Sequence, residues 1–123
     1  MLYSILIYGT EGLVEKLPPD EREALFGKHR QLQTTMRDKG KLGPVVQLMP
    51  TTTAVTIRGG GKAPLVTDGP YTETKEALLG VYIIECDSLE EAIETAKLLP
   101  LDVGTLEIRP VNWFGGEHLQ AGA

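Results

Sequence analysis

Two hydrophobic runs, Leu2 to Tyr8 and Leu78 to Cys86, carry bulky apolar side chains on both of their alternating faces. In the first, Leu2, Leu6 and Tyr8 oppose Tyr3, Ile5 and Ile7; in the second, Leu79, Val81 and Ile83 oppose Leu78, Tyr82 and Ile84. Successive side chains of a strand point to opposite sides, so a run that is apolar on both sides has to be covered twice and belongs in the middle of a sheet. The chain is thus expected to fold around two central strands.

What lies between and beyond them supplies candidate covers. Pro18-Pro19-Asp20-Glu21 is a helix start, with proline in the first turn and acids at the positive end of the helix dipole. Leu25, Phe26, Leu32 and Met36 follow at helical spacing up to a terminating Gly40, which predicts a helix of about 20 residues and about 30 Å. Leu42 to Met49 and Ala54 to Arg58 read as short strands, and Gly59-Gly60-Gly61-Lys62 turns a hairpin into Pro64 to Thr67. Ser88-Leu89-Glu90-Glu91 matches a capping box, and Leu89, Ala92, Ile93, Ala96 and Leu99 form an inward stripe on a second helix ended by Pro100. Thr105 to Val111 sets Leu106 and Ile108 against Glu107 and Arg109, a last strand with one charged face. The tail from Asn112 to Ala123 carries Trp113 and Phe114, then turns small and polar, and its end is expected to be mobile.

Strand, helix, strand, strand, helix, strand is the ferredoxin-like βαββαβ order, an α+β fold with two helices on one face of an antiparallel sheet. At 123 residues the chain is expected to form one domain, residues 1–123 with the tail 112–123, and its core needs neither disulfide nor structural metal. The second sheet face then lacks a cover. A twofold homodimer with sheets packed face to face would bury it; the hairpin and the Trp113-Phe114 tail folding back within one chain is the alternative.

The charge balance argues against two classes of partner. Twelve basic and 17 acidic residues give −5, and the basic residues are scattered, so neither nucleic acid nor an anionic membrane is expected. Cys86 lies in an apolar run and reads as a buried thiol in a reducing cytosol. The eight-residue hydrophobic start lacks a positive leader and a small-residue cleavage site, which suits a buried strand and a cytoplasmic protein.

Thr67 to Glu76, TDGPYTETKE, interrupts this hydrophobic pattern with polar residues and is where a functional loop is expected. Asp68-Gly69-Pro70-Tyr71-Thr72-Glu73-Thr74-Lys75-Glu76, followed by Leu79-Gly80-Val81-Tyr82-Ile83-Ile84-Glu85, resembles the signature of the YCII-related family, in particular its DGPF-domain branch. The likeness extends through the opening strand, the histidine of the first helix, the capped second helix and Glu107-Ile108-Arg109-Pro110-Val111. It implies a small ferredoxin-like protein that dimerises as an α/β barrel, of a mostly bacterial family without assigned activity. Tyr71 stands where the branch has phenylalanine, and Thr72 where alanine is common.

His29 falls on the inward stripe of the first helix, four residues after Leu25 and three before Leu32. Alone, it reads either as a core histidine bonded to a backbone carbonyl or as a general acid or base. The resemblance implies a histidine–aspartate active pair, and His29 and Asp68 are the matching residues. Asp68 also suits an Asx turn ahead of Gly69-Pro70. Thr72 to Glu76 reads as a solvated segment, with Lys75 able to hold an anionic group. Glu107 and Arg109 share a strand face, as an exposed ion pair or with Arg109 clamping a substrate carboxylate. Gly59-Gly60-Gly61-Lys62 lacks the hydroxyl residue and helix start of a phosphate loop, His118 sits in a glycine-flanked tail, and one cysteine with two distant histidines makes no zinc site.

The expected function is therefore binding of a small, cyclic or aromatic organic molecule in a cleft shaped by Tyr71 and the apolar sheet, with no cofactor. As an enzyme it would use His29 as acid or base and Asp68 to orient it, for isomerisation, elimination or lactone chemistry. The alternatives are a non-catalytic ligand-binding or regulatory module linked to transcription, and a purely structural dimer.

Overall fold

The computed structural model describes residues 1–61, 63–117 and 119. His118, Lys62 and the end of the tail for which mobility was expected lie outside that set. Six strands and two helices follow in the order β1 (Leu2–Gly9), α1 (Pro19–Asp38), β2 (Leu42–Gln47), β3 (Val55–Arg58), β4 (Leu65–Asp68), β5 (Ala77–Glu85), α2 (Leu89–Ala96) and β6 (Gly104–Pro110).

Four strands form an antiparallel sheet in the order β2-β5-β1-β6, so the two runs apolar on both faces occupy its centre. Register sets the faces. Tyr3, Ile5 and Ile7 lie opposite Ile84, Tyr82 and Gly80 on β5 and opposite Pro110, Ile108 and Leu106 on β6. This row meets Leu32 and Met36 of α1 and Ala92 and Ala96 of α2 in one core, where Ile5, Leu32, Ile84, Cys86 and Ala92 are fully buried. Both helices therefore cover the same face, and the domain is ferredoxin-like. Burial holds the Cys86 thiol protonated, pushing its pKa up.

Local signals explain the helix ends. Pro19 opens α1 with Asp20 and Glu21 in its first turn, and Gly40 follows its end at φ 70°. Ser88 Oγ accepts the Glu91 N–H at 3.1 Å, while Glu91 Oε2 reaches back to the N–H of Asp87 at 2.9 Å. The expected stripe of α2 is narrower than its spacing suggests. α2 ends at Ala96, three residues short of the expected stop before Pro100; Ala92 and Ala96 are buried, as is Leu99 beyond the helix, but Leu89 and Ile93 are 45% and 37% exposed. Two turns of helix against a sheet hide only the side chains that point straight at it.

β3 and β4 do not join the main sheet. They pair only with each other, an inserted hairpin in which Val55 faces Asp68, Thr56 faces Thr67, Ile57 faces Val66 and Arg58 faces Leu65. Alternation puts Val55, Ile57, Val66 and Asp68 on one side of this ribbon. Val55, Ile57 and Val66 are 59%, 68% and 61% exposed. The alternative of cover from within one chain is thus corrected: the hairpin is itself uncovered, and Trp113 and Phe114 are 79% and 53% exposed. Both would have to lie against the sheet to shield it.

Candidate functional site

A cavity of about 480 Å³ opens between the inner face of the sheet and α1, near the end of β1. Phe26 and His29 line it from α1, Gly80 and Tyr82 from β5, and Leu106 from β6. Glu11, on the loop after β1, stands at the side formed by Leu48, Met49 and Pro50. Gly80 has a steric role in this wall: a Cβ there would come within 2.7 Å of the Val46 carbonyl oxygen on β2.

His29 points inward as its helical position requires, and it is half-buried. Its partner is a side chain and not the expected backbone carbonyl. Nδ1 lies 2.9 Å from the hydroxyl of Tyr82, and the two rings stack with centroids 5.9 Å apart and planes inclined by 17°. Gln33, one turn along α1, donates Nε2–H to the same hydroxyl at 3.0 Å. Burial lowers the His29 pKa from its ordinary 6.5, so the imidazole is neutral at pH 7. Burial also raises the Tyr82 pKa, outweighing the Gln33 bond, and keeps the phenol protonated.

The His29–Tyr82 bond admits two proton arrangements. Tyr82 can donate to Nδ1, leaving the proton of His29 on Nε2; or Nδ1–H can donate to the Tyr82 oxygen, leaving Nε2 a free base. The second leaves Nε2 free to take up a proton as general base and to return it from the resulting imidazolium as general acid, with Nδ1–H held on the Tyr82 oxygen and neither ring moving. Tyr82 and Gln33 were missed as site residues. The available signal was a tyrosine on the buried face of a central strand, whose hydroxyl needs a partner, and a glutamine four residues after the inward histidine.

The polar loop is elsewhere in the chain's own fold. Asp68 ends β4 exposed, and neither it nor Tyr71, Lys75 or Arg109 lines the cavity of its own chain. Among the described residues no hydrogen bond to the Asp68 carboxylate closes the expected turn; Gly69 follows at φ 102° and continues the hairpin pairing, its N–H bonding the Ala54 carbonyl at 2.8 Å and its carbonyl accepting the Thr56 hydroxyl at 2.7 Å. Tyr71 is 73% exposed and packs against the hairpin: the Arg58 guanidinium sits 5.2 Å from its ring centre and donates to its carbonyl at 3.1 Å. Arg109 donates Nη2–H to Glu107 at 2.5 Å, the exposed ion pair that the strand pattern allowed. Among the described residues, no group of three or more His, Cys, Asp or Glu is placed to hold a metal, and no helix is long and apolar enough to cross a membrane.

A ferredoxin-like domain with a histidine-bearing cavity between sheet and first helix defines the class structurally. The chain belongs to the YCII-related domain family, whose model matches residues 1–114. It is 40% identical over 114 residues to an uncharacterized protein of Rhizobium meliloti (strain 1021), an alignment covering 90% of this chain and 92% of that protein. In structure it is similar to the 5-chloro-2-hydroxyhydroquinone dehydrochlorinase of Burkholderia phenoliruptrix AC1100 in complex with 2,5-dihydroxybenzoquinone. The TM-score is 0.52, at 16% identity, with 94% of this chain and 96% of that one covered.

Proposed function

We propose that the cavity beside His29 binds a small cyclic or aromatic organic molecule, and that the protein is a cytoplasmic, cofactor-independent enzyme moving a proton on that ring. The observation that carries this reading is the neutral, half-buried imidazole held by Tyr82 inside a cavity of about 480 Å³, within the range of small-molecule sites. A protein of the same fold in complex with 2,5-dihydroxybenzoquinone supports the choice of ring. Reaction by isomerisation or elimination suits a single acid–base group that takes up a proton and returns it.

Asp68 enters this scheme across a homodimer. It shares one face of the hairpin with Val55, Ile57 and Val66, so whatever buries those side chains encloses its carboxylate as well. A second copy, presenting the mouth of its own cavity, would bring Asp68 toward His29, with Tyr71 and Lys75 beside it. Such a carboxylate would stabilise the imidazolium formed during proton transfer.

Two measurements test this. The first is exchange of solvent deuterium into the ring of a cyclic ketone such as cyclohexanone, followed by NMR. The protein should accelerate it, and His29→Ala should abolish the acceleration while leaving the fold intact; binding without exchange would favour a ligand-binding or regulatory module. The second is mixing of His29→Ala and Asp68→Asn chains. If Asp68 acts across a twofold interface, random exchange restores about a quarter of the sites. No recovery in mixed dimers, or a purely monomeric species in sedimentation at micromolar concentration, would remove Asp68 from the mechanism.

A further inference from the structure

We infer that the cavity accepts an uncharged or cationic ring and rejects one that carries a carboxylate. This rests on the cavity being the binding site proposed above and adds the charge class of its ligand.

The lining is lopsided in charge. Glu11 and Glu15 both contribute to it, and among the described residues no lysine or arginine does. Glu11 is fixed in its ionised form. It accepts the Thr51 backbone N–H at 2.7 Å and the Thr51 hydroxyl on its other oxygen, and these bonds lower its pKa. The imidazole of His29, the remaining group that could offset an anion, is neutral at pH 7 because burial disfavours its charged form. Lys75 and Arg109, the cations that suited an anionic substrate, lie outside the cavity of their chain, and Arg109 is occupied by Glu107. Should a second copy bring Asp68 with Lys75 beside it, those two charges offset each other and the excess set by Glu11 and Glu15 stands.

An anion entering this space loses water without gaining a counter-charge, and it meets fixed like charge at the mouth. A neutral hydroxylated ring meets none of this. It can stack on apolar side chains such as Phe26 and Leu106 and exchange hydrogen bonds with His29 and Tyr82, which serve as donor or acceptor in either proton arrangement.

A matched set of rings separates the possibilities: 4-hydroxybenzyl alcohol, 4-hydroxybenzylamine and 4-hydroxybenzoate, titrated at pH 7 against the full chain and read by the His29 imidazole signals in NMR. The alcohol and the amine should bind, and the benzoate should bind about tenfold more weakly or worse. Glu11→Gln and Glu15→Gln should each narrow that gap, Glu15→Gln serving if loss of the Thr51 bonds disturbs the loop. Benzoate binding as tightly as the alcohol overturns charge selection while leaving the cavity as a site. A gap unchanged in both variants overturns it too. If none of the three rings moves the His29 signals, the cavity reading fails first and this inference falls with it.

Discussion

The helix-covered face of the sheet and the β3–β4 hairpin are both built of β-branched and leucine-rich strands, yet one is finished within the chain and the other is not. Ile5 and Ile84 are fully buried beneath α1 and α2, whereas Ile57, in a strand of similar composition, is 68% exposed. The difference is in what each can reach. The sheet's inner face lies under two amphipathic helices, and a two-stranded ribbon with nothing across it is marginal in water. The chemistry divides along the same line: His29 and Tyr82 sit on the finished side, Asp68 and Tyr71 on the unfinished one.

The largest expected effect breaks this contrast directly. Ile84→Ala opens a cavity in the packed core and should cost about 2–5 kcal/mol in chemical denaturation. Ile57→Ala should change the stability of dilute protein by less than about 0.5 kcal/mol, as exposed positions do. If a second copy buries the hairpin, the Ile57→Ala penalty should grow with protein concentration, because association adds to stability by mass action. A flat concentration dependence would mean that the ribbon stays bare.

Tyr82→Phe comes next and probes where the packed core becomes a site. Removing one hydroxyl leaves His29 Nδ1 and Gln33 Nε2 without their shared partner, a loss of about 1–3 kcal/mol by denaturation. The same variant frees the imidazole to change tautomer, which 15N chemical shifts of the ring report. A stability change with no shift in tautomer would assign Tyr82 to packing alone.

Much of the fold was legible because its signals are local. Alternating faces located β1 and β5, Pro19 and Gly40 bracketed α1, and Ser88 with Glu91 capped α2. The site was legible only in part. The position of His29 on the stripe of α1 told that it points inward; it could not tell that a tyrosine 53 residues away would meet it. That meeting depends on the register between β5 and β1, which no local spacing encodes. Leu89 and Ile93 misled for a related reason, since a helical stripe reveals which side is apolar but not how wide a strip of it the sheet covers. The polar loop stood out in sequence, but nothing in the sequence told that it would dock on its own hairpin through Arg58 and Tyr71.

His29 also ties the site to stability through pH. Its folded pKa is lowered below 6.5, so on acidification the unfolded chain takes up the proton first. The stability conferred by the neutral ring is complete above pH 6.5 and is lost as the pH falls toward the folded value. Denaturation midpoints should therefore drop as the pH falls below 6.5, and His29→Gln should flatten that part of the curve. A half-buried ring makes this a smaller effect than deleting the Tyr82 hydroxyl. An unchanged slope in His29→Gln would place the acid sensitivity among the carboxylates.

The smallest expected change is on the unfinished side. Arg58 holds the loop by its position over the Tyr71 ring and its bond to the Tyr71 carbonyl, contacts on a surface where such a pair contributes about 0.5–1 kcal/mol. Arg58→Gln should leave the global denaturation curve almost in place while raising amide hydrogen exchange from Gly69 to Glu76, since these residues would open locally without unfolding the sheet. Its effect on ligand affinity then sharpens the comparison. If the loop serves only its own hairpin, affinity in the cavity is untouched; if a second copy carries Asp68 and Tyr71 to that cavity, loosening the loop should weaken binding despite a core that is as stable as before.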